Sequence, residues 1–399
     1  MGIRSNTALA GKVCLLVILL LAGLTVLGCA GIRSVPEGGS GGTIADGTLF
    51  LCPALKQAGG LGCAAPSGEG KLVAVNTSDG SRRWEITLET STPAGGGFGC
   101  APAAVPVAVY GKPAVTGDLV YVAGYNGKIY AINSASGALR WVYPREGNLK
   151  PIVSGVVAAQ DKVYFGCSDG KVYALDAATG DRQWEFATGG KIWSTPAIGD
   201  QTLYIGSFDK KLYALSASDG SKQWEFEAEG AIVSTPLVYE NVVYIGSFDR
   251  HLYAVDASNG SLEWKFMADS WFWAKPVAWN NVIYAACLDH KVYALDAKTG
   301  EKVADFDLGS PISSSPVLVG TLISASPVPV SDLIIASEEG KVFALDTSTN
   351  QIRLLADVEE AVYAPLCASD GVVYIYGEKQ NLHALNAESG AKLWSLTIK

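Results

Sequence analysis

Methionine and histidine are scarce in this chain, at 2 and 3 of 399 residues, and none of its 8 cysteines stands next to another. Charge is sparse as well: 17% of residues are charged, and the balance is acidic, with 39 Asp and Glu against 30 Lys and Arg. Neutralising a phosphate backbone needs clustered Lys and Arg, and no such cluster is present, so nucleic acid is excluded as a partner. The net charge of -9 also disfavours an anionic ligand for the chain as a whole. What the chain does have is 45 Gly, 10% aromatic residues and 49% hydrophobic residues. That composition can bury a sizeable core and favours many short strands joined by tight turns over long helices. An all-β fold is the expectation.

The N-terminus, MGIRSNTALAGKVCLLVILLLAGLTVLGCAG, sets Arg4 and Lys12 ahead of an apolar run from Val13 to Leu27. A run of about 15 residues is shorter than the roughly 20 that span a bilayer as a helix, and it reads as a signal peptide. Its end, VLGC, resembles the bacterial lipoprotein signal, with Leu27 where that family usually has a small residue. The resemblance implies cleavage before Cys29 and acylation of Cys29, which would anchor the chain to a membrane; an uncleaved signal anchor is the alternative. Residues 1–28 are then the signal, residues 29–43 a Gly-rich flexible tether, and residues 44–399 the folded part.

From there one pattern returns eight times. YIGSFDKKLYALSASDGSKQWEF begins at Tyr204, and forty residues on stands YIGSFDRHLYAVDASNGSLEWKF. The fullest copy of A-x-D-x-x-T-G-x-x-x-W is Ala174, Asp176, Thr179, Gly180 and Trp184; Trp84, Trp141, Trp224, Trp264 and Trp394 close other copies. Two copies are degenerate, with Ala304 and Leu354 at the Trp position. A unit that cannot bury its own faces needs copies to stack on, whereas a catalytic motif is stated once. Each copy holds four short strands in about forty residues, Gly180 and its equivalents suit the turn between the last two, and the Trp is expected to fill the space between units against the motif Ala.

This pattern resembles the PQQ-like β-propeller repeat, the tryptophan-docking motif, over about residues 44–399. The resemblance implies an eight-bladed β-propeller of four-stranded antiparallel blades. Quinoprotein dehydrogenases share the repeat but are usually longer and carry a vicinal Cys pair and a calcium-binding carboxylate set, neither of which is recognisable here. A lipid-anchored chain that is nearly all one such propeller also resembles the BamB lipoprotein family, scaffolds of outer-membrane protein assembly. That resemblance implies a non-catalytic, membrane-anchored envelope protein with a protein partner and no cofactor. A glycan or small ligand in the axial channel is an alternative, and a PQQ-dependent dehydrogenase a weaker one.

The remaining polar residues read as structural. His251, His290 and His383 are variants within repeat columns, and Asp169, Asp209, Asp249 and Asp289 recur in one turn column, as turn formers rather than acids or bases. Cys167 and Cys287 stand in the column of Ser207 and Ser247, as small buried groups. Blade 1 carries insertions at about residues 53–70 and 92–111, blade 7 one after Pro316, and a disulfide of Cys52 with Cys63 is one option, with Cys100 beside them.

One set of residues is not explained by the repeat. Before the recurring Pro196, Pro236, Pro276 and Pro316 stand KIWSTP, AIVSTP, WFWAKP and PISSSP, in which Ile192, Ile232, Phe272 and Ile312 form a core column, extended by Ile152. Strand alternation turns the neighbours the other way. These are Lys191 and Trp193 in blade 4 and Trp271 and Trp273 in blade 6, with Lys275 close by. They are candidates for a partner-binding patch at the channel mouth, or for an apolar plug that closes it.

Overall fold

The structure, a computed structural model, describes residues 40–53, 70–88, 107–321 and 330–398. The signal sequence, Cys29, Cys63, Cys100 and most of the three insertions lie outside the described residues. Eight four-stranded antiparallel sheets follow one another, each built from four consecutive strands. Blade 4 is typical, with strands Ala197–Gly199, Thr202–Gly206, Lys211–Ser216 and Lys222–Glu227 from the axis outward. The third strand is apolar on both faces: Leu212, Tyr213, Ala214 and Leu215 are all buried, because each blade is covered by two others.

The tether does not run to residue 43. Ser40, Gly41 and Gly42 are buried, and the Ser40 hydroxyl both accepts from the Cys52 amide (3.0 Å) and donates to the Cys52 carbonyl (3.2 Å). Among the described residues Cys52 is a buried free thiol, its pKa pushed up to about 12 by burial against the lowering effect of the Ser40 hydrogen bond; the expected pairing with Cys63 falls outside the described residues. Cys167 and Cys287 are fully buried, as their column requires, and Cys367 is also a free thiol. The blade 7 insertion is partly sheet: its first two strands, Val317–Thr321 and Val330–Ala336, stay paired up to Thr321 with Val330.

The docking tryptophans lie opposite the motif Ala of their own blade, as expected, and also act across the blade boundary. Trp184 Nε1 in blade 3 donates to Ala217 O in blade 4 (3.2 Å), and Tyr164 OH donates to the same carbonyl (3.0 Å). Trp141 and Tyr121 share Ala177 O, Trp224 and Tyr204 share Ala257 O, and Trp264 and Tyr244 share Ala297 O. The ring closes in the same way: Trp394 and Tyr374 of blade 8 donate to Thr77 O of blade 1, at 3.1 and 3.2 Å. Trp84 donates to Ser134 O, and Phe50 in blade 1 and Ile334 in blade 7 stand where the other blades have the Tyr.

Each indole also lies flat on the glycine turn of the next blade. A Cβ on Gly220 would sit 2.6 Å from the Trp184 ring, and φ there is +74°. The glycine therefore answers two demands, backbone sign and the room for a ring. One degenerate copy bears out the pairing, whereas in the other Gly390 of blade 8 is kept without a Trp and its Cβ position faces Leu355 O instead. Blade 6 has Ala304 in place of Trp, and the turn it would have covered, in blade 7, has Asn350 (φ 57) in place of Gly. In blade 7 the bulge falls between Val342 and Phe343 rather than after the motif Ala, so Arg353, not Leu354, lies opposite Ala344. Leu354 is 58% exposed.

These contacts predict a specific coupling. Gly220→Ala should cost about 3 kcal/mol, the sum of an overpacked ring and a left-handed Ala, but only about 1 kcal/mol when Trp184→Ala has removed the ring. Asn350→Gly should be neutral or slightly stabilising. Denaturant midpoints of the four variants check this, and equal costs of Gly220→Ala in both backgrounds would contradict it.

Candidate functional site

The segment joining one blade to the next is held by backbone bonds on both sides. In the segment entering blade 4, Phe208 N donates to Lys191 O (2.9 Å) and Ile192 N donates to Cys167 O (3.2 Å). The same clamps recur at Phe248 with Ala231 and at Leu288 with Trp271. Between them Ile152, Ile192, Ile232, Phe272 and Ile312 are buried to 1% exposure or less, as the core column requires. Their neighbours turn outward: Lys191, Trp193 and Trp271 are half-buried, Trp273 is 38% exposed and Lys275 is exposed.

The three tryptophans are brought together by two residues that sequence reasoning does not single out. Trp193 meets Phe208 edge-on, with ring centres 4.8 Å apart, and Phe208 meets Phe248 edge-on at 6.3 Å. Phe248 in turn stacks with Trp271 at 4.7 Å and with Trp273 at 5.7 Å. One aromatic strip thus crosses blades 4, 5 and 6. Phe208 and Phe248 occupy the column just after the second strand, where other blades have Ser168, Leu288, Glu338 and Glu378. The signal is the repeated GSFD string, which similarity between copies makes look like fold rather than site. A second aromatic pair, Tyr110 and Tyr125 of blade 2, fills the same two columns at 5.6 Å.

Four cations stand two residues along the chain from members of the strip. Lys191, Lys210, Arg250 and Lys275 form no ion pair among the described residues. The acids of the same turns are turned inward. Asp209 accepts from Tyr213 OH (2.7 Å), Gly189 N (2.6 Å) and Lys211 N (3.0 Å). Asp249 accepts from Tyr253 OH (2.9 Å), Gly230 N (2.8 Å) and His251 N (2.9 Å). Burial would raise the Asp249 carboxyl, but these donors outweigh it and hold it below its ordinary value. The aspartates are turn formers, as expected, and they also tie each blade to the segment that enters it. One polar atom in the strip is left over: Trp193 Nε1 is buried with no hydrogen-bond partner among the described residues.

The histidines do not converge. His251 Nδ1 lies 3.1 Å from Asp249 Oδ1, and His383 Nε2 lies 2.7 Å from Glu360 Oε1 in a buried pair. Glu360 also accepts from Asn381 Nδ2 (3.0 Å) and Lys379 N (2.8 Å). Among the described residues no group of three or more His, Cys, Asp or Glu is placed to hold a metal ion.

Three stretches of the chain, residues 58–194, 185–304 and 288–398, match the family described as outer membrane protein assembly factor BamB. No curated protein matches the sequence. Among solved structures, BamB from Moraxella catarrhalis superposes with a TM-score of 0.62 at 18% identity, covering 86% of this chain and 91% of that one. The computationally designed Ika8 protein gives 0.64 at 14% identity, over 91% and 98% of the two chains. A quinohemoprotein alcohol dehydrogenase, ADHIIG from Pseudomonas putida HK5, gives 0.53 at 16% identity, over 71% and 66%. At these identities the structures attest the fold alone, and it is the three matches along the sequence that carry the assignment: this chain is a member of the BamB family of PQQ-like repeat propellers.

Proposed function

We propose that the protein is a non-catalytic docking scaffold of the bacterial cell envelope, anchored to a membrane through an acylated Cys29, and that it engages a protein partner through the aromatic strip of blades 4 to 6. The observation that carries this reading is the strip itself. Three tryptophans and two phenylalanines stand in columns that the repeat leaves free to vary, Trp273 is open to solvent, and Trp193 keeps an unpaired donor. Aromatic anchors with basic neighbours are typical of binding hot spots. The four unpaired cations suit a partner segment that alternates apolar and acidic side chains. Family membership supports a role in outer-membrane protein assembly. The absence of adjacent cysteines speaks for a scaffold over a quinone enzyme.

The decisive experiment is crosslinking and recovery of the lipidated protein from its native envelope. Trp273→Ala and Phe248→Ala should each weaken the recovered complex at least tenfold, about 1.4 kcal/mol. Trp273→Ala should cost about 1 kcal/mol or less of stability, because the side chain is partly exposed, whereas Phe272→Ala should cost about 3–5 kcal/mol. A large stability loss in Trp273→Ala with unchanged binding per folded molecule would make the strip a plug. Replacing Cys29 by Ser should release the protein from membranes; a variant processed at the same place and equally membrane-bound would refute acylation. Reconstitution with pyrroloquinoline quinone and calcium should give no dye reduction over a panel of alcohols and aldoses, and robust turnover would overturn the non-catalytic reading.

A further inference from the structure

Two residues beyond Trp193 and Trp273, on the same side of the chain, runs another column, just ahead of the innermost strands. It holds Lys112, Gly155, Thr195, Thr235, Lys275 and Ser315 in blades 2 to 7. None of these is a core residue except Gly155, and Lys275 is exposed, so the column faces the axial lumen. Neighbouring blades are tied along it: Gly155 N donates to Thr195 Oγ1 (2.7 Å), and Lys275 N donates to Ser315 Oγ (3.1 Å). Those hydroxyl oxygens are used as acceptors, while their O–H groups have no acceptor among the described residues.

The two lysines belong to blades 2 and 6, which in a ring of eight lie on opposite sides of the axis. The Lys112 stem lies against Gly41, and its Nζ donates to Leu366 O (2.9 Å), a neutral partner. Lys275 Nζ has neither a hydrogen bond nor an ion pair among the described residues. Surrounding protein strips water from both ammonium groups and lowers each from its ordinary value; at Lys112 the Cys367 thiol opposes this, and the Lys275 charge across the lumen adds to it. Lys112 is thus an enclosed cation with a neutral partner, and Lys275, open to the lumen, is a cation with no partner among the described residues. In a chain of net charge -9, acids to neutralise them were not in short supply.

We propose that the lumen between Lys112 and Lys275 is a binding site for a small oxyanion of at least two negative charges, a phosphate or a di- or tricarboxylate, with the Thr195 and Ser315 hydroxyls as additional donors. Two opposed ammonium groups recognise an anion that can bridge them, and a monovalent ion would satisfy only one. The site is local and stands against the acidic balance of the chain as a whole. It does not depend on the docking role of the aromatic strip.

The test uses the full chain in mild detergent, with calorimetric titration of sodium phosphate and of sodium citrate against sodium chloride at equal ionic strength. Phosphate and citrate also stabilise proteins generally by exclusion from the surface, so the readout is the difference between the parent and Lys275→Gln. The expected result is saturable binding of phosphate, citrate or both to the parent, with affinity at least tenfold lower in Lys275→Gln and restored in Lys275→Arg. Phosphate alone or citrate alone would support the site and define its class. Lys112→Gln should lose binding as well; because Lys112 also bonds Leu366, a Lys112→Gln chain that fails to fold leaves the two Lys275 variants to decide. Binding that is absent in the parent, or unchanged in Lys275→Gln, would overturn the proposal.

Discussion

One shared carbonyl between blades organises this molecule. At five of the eight boundaries the residue after the third strand offers its oxygen to the preceding blade, which sends it a tyrosine hydroxyl and an indole N–H, as Ala217 O receives Tyr164 and Trp184. Both lone pairs are used, and each donor is a buried polar group whose loss of water would otherwise be uncompensated. The donors sit on different strands of one blade, so the acceptor fixes both the distance and the tilt of the next. The indole then needs a flat floor, and glycine in the turn supplies it. Where both donors are present, stacking and turn chemistry are thus consequences of one repeated bond geometry.

That dependence explains which sequence changes travel together. With Ala304 there is no ring to seat, and Asn350 is tolerated in the following turn. The boundary between blades 6 and 7 is filled instead by Ile312, Phe306, Phe343 and Ile352. A similar exchange occurs inside blade 8. Blades 3 to 6 bind a Tyr hydroxyl to an Asp in the preceding turn, whereas blade 8 has His383 at the Tyr position and Lys379 at the Asp position. The carboxylate has moved to the entering segment, where Glu360 takes His383, Asn381 and the Lys379 amide. The bracket between segment and turn survives although each of its members has changed.

The fold is legible in the sequence because the repeat is periodic in the very groups that make these bonds: Trp184, Gly180 and Asp176 are spaced as the acceptor requires. The partner of the indole is not legible, since the motif Ala beside it in the sheet and the Gly in the next blade recur with the same period. Leu354 falls out of place because a bulge cannot be seen in an alignment of columns. The core column of Ile192 and Phe272 comes out of alternation alone, and with it the outward set of Lys191, Trp193, Trp271, Trp273 and Lys275. Phe208 and Phe248 escape notice because they stand in two adjacent, nearly identical copies, where similarity hides a departure from the Ser, Leu and Glu of blades 3, 6, 7 and 8.

These cases separate two kinds of departure from a repeat. Where Trp becomes Ala or Tyr becomes His for the sake of packing, a second change nearby restores the balance, as Asn350 and Glu360 do. At the mouth of the ring nothing restores it. Trp193 buries an N–H without an acceptor, Trp273 leaves a large ring in water, and Lys275 holds a charge without a counter-ion among the described residues. Each departs from the Val, Ser or Thr that several other copies accept at the same position. A fold with eight chances to use the inexpensive residue has no structural reason to choose the expensive one, so the uncompensated departures are the ones to assign to recognition.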